Sequence, residues 1–526
     1  MSIKLSASRD GVARPLVHFW STCVGAGRAN EGLRAGWQEQ LREAVGQCGF
    51  RYLRFHGLFH DDMFVYRESN GKAVCNFQYI DELFDRMLAI GIRPFVELGF
   101  CPSDLASQTG TVFWWKGNGA PPKDYEKWGE LVGRFTRHVV DRYGAQEVRK
   151  WYFEVWNEPN LHPFFRGTRS QYFELYRSSV RAVKQVDAQL RVGGPATSNF
   201  VPDARFAGET EDFSQHGVVT RAKDLDALEW RPVWVEEFLK FCHREQLPVD
   251  FVSCHPYPTD WALDEMGQSV KSTRGVNATM KDLACIRQAV AASAYAGAEI
   301  HLTEWNSSPS PRDYTHDYLQ AATFVVKCNL EGAGLVDSLS YWTFTDVFEE
   351  GGAGDTLFHG GFGMINYQGI VKPTFHAYRM LNQLGDQLLY QRPGGVVTRH
   401  SATGRVTALA YHYSAEMPLS APASFGTRET AENTLARGSA AELELDVRGL
   451  AAHAGFVVET LGKLHGNVMA AWQAMGAPET PTREQQRELR EQALRTSRQI
   501  IRADAEGRLG VRCRLEPWSV VLINQL

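Results

Sequence analysis

Short apolar runs alternate with amphipathic stretches over the first 370 residues of the chain. Segments 37–49, 79–91 and 125–144 carry apolar residues at the spacing of a helix face, and the last two end at glycine, a common helix terminus. Eight further runs are predicted strands: 16–20, 51–56, 93–98, 150–156, 191–194, 249–254, 299–304 and 337–344. Strands that alternate with helices pair in parallel through helical crossovers, and a count of eight predicts a closed (β/α)8 TIM barrel.

The pattern changes beyond residue 385, where predicted strands follow one another directly. Two runs within 396–413 flank a turn at Gly404 and predict a hairpin, and 441–450 alternates apolar with polar residues. Residues 509–526 predict two final strands. The predicted fold class is therefore α/β, a TIM barrel with an appended C-terminal β-sandwich domain.

One predicted helix interrupts the sandwich. Residues 481–500 are charged on most of their surface, which is most simply a solvated helix face. We therefore expect a barrel in residues 1–380, whose first residues are candidates for pairing with the sandwich, and a sandwich in residues 381–526 with a helical insert near 466–503. No low-complexity linker separates the two, so we expect them to pack together.

Composition narrows the class of protein. The chain has 526 residues, 44% of them hydrophobic, and a formal net charge of −5, so no basic excess favours nucleic acid or an anionic membrane. The sequence has no apolar run of about 18 residues that would span a bilayer and no secretory signal. The nine dispersed cysteines, with no CxxC pair, are typical of free thiols in a reducing compartment. These features predict a cytoplasmic protein.

Two glutamates lie at the carboxyl ends of predicted strands four and seven, where such barrels carry their function. Glu158 follows strand four and Glu304 ends strand seven. Hydrolysis of a glycosidic bond needs one protonated carboxyl to assist the leaving oxygen, and one carboxylate to attack the anomeric carbon or to activate water. A separation of about 5 Å predicts retention of configuration. Glu154, deeper in strand four, is expected to be paired structurally.

Other polar and aromatic residues also fall at strand ends. Arg54 and His56 share one face of strand two, because residues two apart point the same way. His255 and Tyr257 have the same spacing after strand six, and Trp342 lies in strand eight. Each has a structural explanation, as a satisfied core residue, beside the functional one. These residues alone leave that choice open.

Two glycine-rich segments are weak candidates for nucleotide binding. Residues 24–32 resemble a dinucleotide loop but have Asn30 where the third glycine belongs, and residues 351–363 lack the Lys-Ser/Thr of a phosphate loop. The second is more simply a loop bordering the pocket. Neither an HExxH nor a GxSxG motif is present.

Several motifs together resemble glycoside hydrolase family 39, the family of β-xylosidases and α-L-iduronidases, and look most like its bacterial β-xylosidases. The two that include the strand-end glutamates are WYFEVWNEPNL and IHLTEWNSSPSP. Others extend the resemblance along the chain: CVGAGRA, RFHGLFHDD, FWWKGN, VDFVSCHPY, YWTFTDVFEE, LFHGGFG, KPTFHAYRMLNQLGD and GNVMAAWQAMG. The Asn-Glu-Pro triplet is shared by many retaining barrels, so it indicates mechanism rather than substrate.

The resemblance implies double displacement with retention, without a metal or organic cofactor. Glu158 is then the general acid/base and Glu304 the nucleophile. Asn157 is expected to bind the sugar 2-hydroxyl, and Arg54 to support the ionised nucleophile. Residues expected to line the sugar pocket are His56, Trp115, His255, Tyr257, Trp342, Glu350 and the neighbouring Glu349.

The predicted function is an exo-acting retaining β-1,4-xylosidase that releases xylose from the non-reducing end of xylo-oligosaccharides. Another glycone on the same machinery is an alternative: an α-L-arabinopyranoside, a β-galactoside or an iduronoside, although no Lys/Arg cluster for a uronate falls near the strand ends. A non-catalytic carbohydrate-binding protein and a sandwich acting as an oligomerisation module are further alternatives. A homo-oligomer is possible, and its state stays open.

Overall fold

Most β-structure in the molecule belongs to a closed barrel of eight strands and to two further sheets built mainly from the C-terminal part of the chain. This computed structural model describes residues 2–202, 208–209, 225–263, 269–414 and 427–526. Within these ranges no helix has the length and apolarity needed to cross a bilayer.

Strands and helices are numbered along the described residues. The strands are β1 (Ser2–Ser8), β2 (Arg14–Pro15), β3 (Cys23–Arg28), β4 (Tyr52–His56), β5 (Tyr66–Ser69), β6 (Lys72–Cys75), β7 (Arg93–Leu98), β8 (Thr111–Val112), β9 (Gly117–Asn118), β10 (Tyr152–Val155), β11 (Arg191–Thr197), β12 (Phe251–Cys254), β13 (Thr259–Leu263), β14 (Ser269–Thr273), β15 (Glu299–Trp305), β16 (Ser338–Tyr341), β17 (Gln387–Arg392), β18 (Gly395–Arg399), β19 (Val406–Tyr411), β20 (Ala441–Arg448), β21 (Gly455–Leu461), β22 (Ser497–Arg502), β23 (Leu509–Leu515) and β24 (Val520–Gln525). The α-helices are α1 (Ala35–Cys48), α2 (Gln78–Ile90), α3 (Tyr125–Tyr143), α4 (Ala145–Val148), α5 (Arg169–Val186), α6 (Val233–Arg244), α7 (Ala278–Ala291), α8 (Leu319–Glu331), α9 (Pro373–Leu381), α10 (Arg428–Leu435), α11 (Met469–Ala474) and α12 (Arg483–Ala493).

The barrel prediction is confirmed. Its strands are parallel, and they follow one another around the barrel in chain order: β3, β4, β7, β10, β11, β12, β15 and β16, with β16 closing on β3. A helix follows each strand, as parallel crossovers require. The carboxyl ends of all eight strands therefore open at one mouth.

The predicted first strand is wrong. Residues 16–20 end in a short 3-10 helix, Phe19–Ser21, and the first barrel strand is β3, which begins at Cys23. The prediction placed the first strand too early in the sequence because β3 is rich in small residues, which have low β-propensity. Gly25 is required there, since a Cβ at this position would clash with the ring of Trp342.

The C-terminal sheets form the predicted β-sandwich. One sheet has seven strands in the order β2-β17-β18-β19-β24-β21-β22, and the other has three in the order β1-β20-β23. Strand β1 pairs in parallel with β20, so the N-terminal residues complete the smaller sheet. Side chains from both sheets share a buried apolar cluster that includes Ile3, Leu5, Val397 and Leu443.

The predicted charged helix is correct only in its first part. Helix α12 begins after Thr482, whose side chain accepts a hydrogen bond from the Gln485 N–H, and ends at Ala493. Residues 497–502 instead form β22, which pairs with β21 at the edge of the larger sheet. Polar residues suit a solvated helix and an edge strand equally, so only the available partner strand decides between them.

Candidate active site

The two strand-end glutamates lie side by side at the mouth of the barrel. Glu158 follows β10 after a sharp turn in which Trp156 and Glu158 adopt positive φ angles of 71° and 44°. Glu304 is the penultimate residue of β15. Both side chains are buried, and a carboxylate oxygen of each lies within 4.8 Å of the other. Two carboxyls this close in a site shielded from water do not readily ionise together.

Glu304 is the carboxylate of the pair that contacts cations. Arg54 Nη1 donates a short hydrogen bond to Oε1, and His56 Nε2 lies 3.4 Å from the same oxygen. The Tyr257 hydroxyl donates to Oε2 over 3.4 Å. Burial raises the pKa of Glu304 to about 7, although the Arg54 and His56 cations lower it. Of the two glutamates, Glu304 therefore loses its proton first.

Arg54 connects four side chains from its fully buried position in β4. Its Nε donates to Glu154 Oε2 and its Nη2 to Asn157 Oδ1, each over 2.8 Å, and Nη2 also lies 2.9 Å from Glu97 Oε2. Burial lowers the pKa of Arg54, but the surrounding carboxylates outweigh it and raise the pKa overall. A buried guanidinium is stable only when paired in this way.

His56 is held as a cation by its carboxylate neighbours. Nδ1 lies 2.7 Å from Glu97 Oε2, and Nε2 lies 3.3 Å from Glu350 Oε1. Although burial lowers the pKa of His56, Glu97 and then Glu350 raise it to about 10. The imidazolium donates from both nitrogens and adds positive charge beside Glu304.

Glu158 lies beside the neutral ring of His255. His255 Nδ1 lies 3.1 Å from Glu158 Oε1, and burial lowers the pKa of His255 well below its usual range, with Arg54 and His56 adding to the effect. Burial also raises the pKa of Glu158 well above its usual range, and the neighbouring Glu304 charge raises it further. Glu158 is therefore the member of the pair that keeps a proton.

Aromatic rings form one wall of the site. The ring of His56 stacks on Phe113, with centroids 5.6 Å apart, and Phe113 stacks on Trp115 at 5.1 Å. Trp342 packs against His56 from another side at 4.8 Å. Trp115 thus lies one ring away from the charged cluster, and Arg28 Cζ lies 5.5 Å from its ring centroid.

The two adjacent glutamates 349 and 350 point to different partners. Glu350 lies beside His56, as described above. Glu349 instead accepts from Arg28 Nη2 at 2.8 Å and pairs with Arg34 Nη1 at 2.7 Å. Of the predicted sugar-pocket residues, Glu349 therefore lies in a separate ion-pair cluster at the rim.

Three residues of this site were missed by sequence reasoning: Glu97, Thr303 and Phe113. Glu97 is the penultimate residue of a predicted strand, near the mouth, and this position was the available signal. Thr303 precedes Glu304, so strict alternation places the two on opposite faces. The pairing of β15 with β16 shifts register between Leu302 and Trp305, and both Thr303 and Glu304 reach the interior.

The arrangement suits acid–base chemistry between two carboxyls. One holds a proton, the other faces two cations, and their separation matches the spacing of about 5 Å that accompanies covalent catalysis rather than the 6.5–9.5 Å that leaves room for an attacking water. Glu158, His255 and Glu304 also offer three closely spaced ligand atoms. Arg54 and His56 already supply positive charge at Glu304, so the donor set is arranged for proton transfer.

Comparison with known proteins agrees with the resemblance carried by the motifs. The sequence profile of Glycosyl hydrolases family 39 matches residues 1–219 and 227–509. The chain is 42% identical over 372 residues to a beta-xylosidase of Caldicellulosiruptor saccharolyticus, covering 70% of this chain and 69% of that protein. It is 37% identical over 475 residues to a beta-xylosidase of Geobacillus stearothermophilus, covering 88% and 84%. A monomeric beta-xylosidase from Caulobacter crescentus CB15 superposes with a TM-score of 0.84 at 32% identity, covering 100% of this chain and 99% of that one.

Proposed function

Because the chain belongs to family 39 of the glycosyl hydrolases, we propose that it is a retaining exo-β-1,4-xylosidase that releases xylose from the non-reducing end of xylo-oligosaccharides. The chain is a glycoside hydrolase on the strength of its family. The choice of xylose is supported by the two curated relatives, both named beta-xylosidase, with which it shares 37% and 42% of aligned residues.

The observation that carries the mechanism is the separation of Glu158 and Glu304, within 4.8 Å between carboxylate oxygens. In the first step, Glu304 attacks the anomeric carbon while Glu158 gives its proton to the leaving oxygen, so that a covalent glycosyl-enzyme forms. In the second step, water attacks the same carbon on the face opposite Glu304, the bond to Glu304 breaks and frees its carboxylate, and Glu158 takes the water proton. Two inversions give net retention and regenerate both glutamates.

The two cations beside Glu304 support its role as the ionised member of the pair. Arg54 and His56 stabilise the negative charge of Glu304, while Glu158 has no cation within hydrogen-bonding distance among the described residues. The different surroundings therefore support Glu304 as the nucleophile and Glu158 as the acid/base.

Asn157 is proposed to bind the sugar 2-hydroxyl. Its Oδ1 accepts from Arg54 Nη2, which fixes the side-chain amide, and within the described residues Nδ2 has no acceptor and can donate to a sugar. A hydrogen bond to this hydroxyl strengthens as positive charge develops on the ring. The remaining pocket residues are proposed to be His56, Trp115, His255, Tyr257, Trp342 and Glu350, with Glu349 at the rim.

We also propose that the catalytic unit lies within residues 1–380, apart from β1 and β2, which pair with the sandwich sheets, and that residues 381–526, with α11 and α12 as the helical insert, support it. Arg428 of α10 donates to Phe358 O over 3.3 Å and lies 4.5 Å from the Trp472 ring centroid. The Phe358 and Trp472 rings pack edge to face at 5.3 Å. Sandwich residues thus hold the glycine-rich loop 351–363. A cytoplasmic role after oligosaccharide uptake is supported by nine cysteines that are all free thiols.

Hydrolysis of a panel of 4-nitrophenyl glycosides tests the proposed substrate. We expect the β-D-xyloside to have a higher kcat/KM than the α-L-arabinopyranoside, the β-D-galactoside and the α-L-iduronide. Faster turnover of any of the other three would replace the proposed glycone. Proton NMR of the first-formed product tests the mechanism, because double displacement releases β-xylose before mutarotation. Initial release of α-xylose would contradict it.

A further inference from the structure

A chain of hydrogen bonds runs beneath the site from the Arg54 guanidinium to the Glu158 carboxyl. Arg54 Nε donates to Glu154 at 2.8 Å, Thr303 Oγ1 donates to Glu154 Oε1 at 2.7 Å, and Thr303 Oγ1 lies 2.8 Å from His255 Nε2. His255 Nδ1 then reaches Glu158 Oε1 at 3.1 Å. All five side chains are buried. Thr303 has no role in the proposed reaction, yet it links the Arg54–Glu154 pair to the His255–Glu158 pair.

The direction of each hydrogen bond follows from the number of protons available. Glu154 is ion-paired with Arg54, so its carboxylate only accepts. Thr303 has a single hydroxyl proton, which must point to Glu154, because two unprotonated oxygens at 2.7 Å would repel. The Thr303 oxygen therefore presents a lone pair to His255, and His255 must carry its proton on Nε2.

The tautomer of His255 decides what faces Glu158. Burial lowers the pKa of His255, and the Arg54 and His56 charges lower it further, so the ring is neutral. A neutral imidazole with its proton on Nε2 has a lone pair on Nδ1. Nδ1 therefore forms a hydrogen bond to Glu158 only when that carboxyl is protonated.

We propose that Thr303 is a positioning residue that fixes His255 with its proton on Nε2, so that His255 Nδ1 accepts a hydrogen bond from Glu158 and stabilises its protonated form. When substrate binds, the Glu158 hydroxyl turns from Nδ1 to the glycosidic oxygen and delivers its proton there. Once Glu158 is ionised, the Nδ1 lone pair faces a carboxylate, which makes Glu158 a stronger base toward the attacking water. The inference rests on the acid/base role proposed above and deepens it.

Other ionisable groups surround Glu158 and His255, and they come from three barrel strands and two loops: Arg54, His56, Glu154, Tyr257, Glu304 and Glu350. Replacing Thr303 by valine leaves all of them in place and removes one hydroxyl from a side chain of similar shape. Thr303→Ser retains the hydroxyl and is the matched control.

Nitrogen NMR tests the tautomer without reference to any substrate. The intact enzyme is labelled with 15N in its histidine side chains, and the His255 signals are identified by their loss in His255→Asn or His255→Gln. We expect wild-type His255 to show a protonated Nε2 and a lone-pair Nδ1, and Thr303→Ser to retain this pattern. In Thr303→Val, protonated Nδ1 is expected to gain population. A wild-type His255 with its proton on Nδ1 overturns the inference.

Kinetics test the consequence for Glu158. In Thr303→Val, the alkaline limb of the kcat/KM profile on phenyl β-D-xyloside is expected to move to lower pH by about one unit, because Nδ1–H now stabilises ionised Glu158. Thr303→Ser should superimpose on the wild type. A lower kcat/KM at every pH with an unmoved limb indicates a structural role only and overturns the inference. If the wild-type enzyme does not hydrolyse β-xylosides, the proposed substrate fails, while the NMR result still decides the tautomer.

Discussion

The two ends of the barrel interior are built from the same strands but hold opposite kinds of side chain. At the amino end, Phe95, Tyr152 and Phe251 belong to a buried aromatic cluster, which we call the floor. Two residues further along β7 and β10 lie Glu97 and Glu154, which belong to the charged layer of the site. A single step of the strand period therefore separates an apolar environment from an ionic one.

The contrast shows what each layer depends on. Floor residues are stabilised by packing, so a substitution there changes the free energy of unfolding. Charged residues above the floor are cut off from water and are stabilised by one another, so removal of one member leaves its partners uncompensated and shifts their pKa values. We expect mutations in the two layers to separate stability from activity.

The largest effect is expected for Glu304→Ala in the charged layer. Without its carboxylate no glycosyl-enzyme forms, and turnover of every β-xyloside should be abolished. The melting temperature measures folding in parallel and is expected to stay well above the assay temperature. Turnover within tenfold of the wild type would contradict the assignment of the nucleophile.

Glu158→Ala should discriminate between substrates by their leaving groups. We expect a loss of about 100- to 10,000-fold on xylobiose, whose leaving sugar must be protonated, and a smaller loss of kcat/KM on 2,4-dinitrophenyl β-D-xyloside, which leaves without protonation. Steady-state kinetics on the two substrates provide the measurement. Equal losses would argue against the acid/base role.

Glu97→Gln and Phe95→Leu form a matched pair, since both residues lie on the same face of β7. Glu97 is the largest of the contributions that raise the pKa of His56 to about 10, so Glu97→Gln should lower that pKa. His56 then loses its charge at lower pH, which a 15N titration of its ring should show, and kcat/KM should fall over the same pH range because Glu304 loses a stabilising cation.

For Phe95→Leu in the floor, the expected change is a loss of about 1 kcal/mol in the free energy of unfolding. Its kcat/KM profile should keep the wild-type pH limits. A pH shift of equal size in both variants would remove the distinction between floor and charged layer.

The smallest effect is expected for Tyr152→Phe at the edge of the floor. The Tyr152 hydroxyl donates to Glu299 Oε2 over 2.7 Å, near the solvent-exposed amino end of the barrel. Loss of this hydrogen bond should cost about 1 kcal/mol in denaturant unfolding and leave kcat/KM unchanged. A change of more than threefold in kcat/KM would show that the floor influences the site directly.

Periodicity predicted most of this architecture from sequence. Seven of the eight predicted barrel strands overlap the observed ones, because their branched and aromatic residues favour strands. The first predicted strand does not overlap. The observed strand contains Gly25, where the ring of Trp342, a residue far away in the sequence, leaves no room for a Cβ. Local preference carries no information about such a partner.

The candidate site was predictable to the extent that strand ends define it. Arg54, His56, His255, Glu158 and Glu304 meet at one mouth because parallel strands open at the same edge. Their charge states were not predictable. They depend on distances between strands, as with the 2.7 Å contact that joins His56 to a carboxylate of the next strand.

Loop geometry also lies beyond sequence reasoning. Glu349 and Glu350 are adjacent and chemically identical, and the chain turns so that only Glu350 faces His56. The deciding contact is the Glu349 N–H, which donates over 2.9 Å to Oε1 of buried Glu31. Burial, together with the negative charge of Glu349, raises the pKa of Glu31 to about 8.

Strand β1 has a consequence for how the protein is made. Ile3 and Leu5 leave the ribosome long before their partner strand β20, which begins only at Ala441. During that interval an apolar strand has no pairing partner, and such exposed edges invite contacts between nascent chains. The yield of folded protein in an expression host should therefore depend strongly on chaperone supply and growth temperature, even if the folded protein is stable.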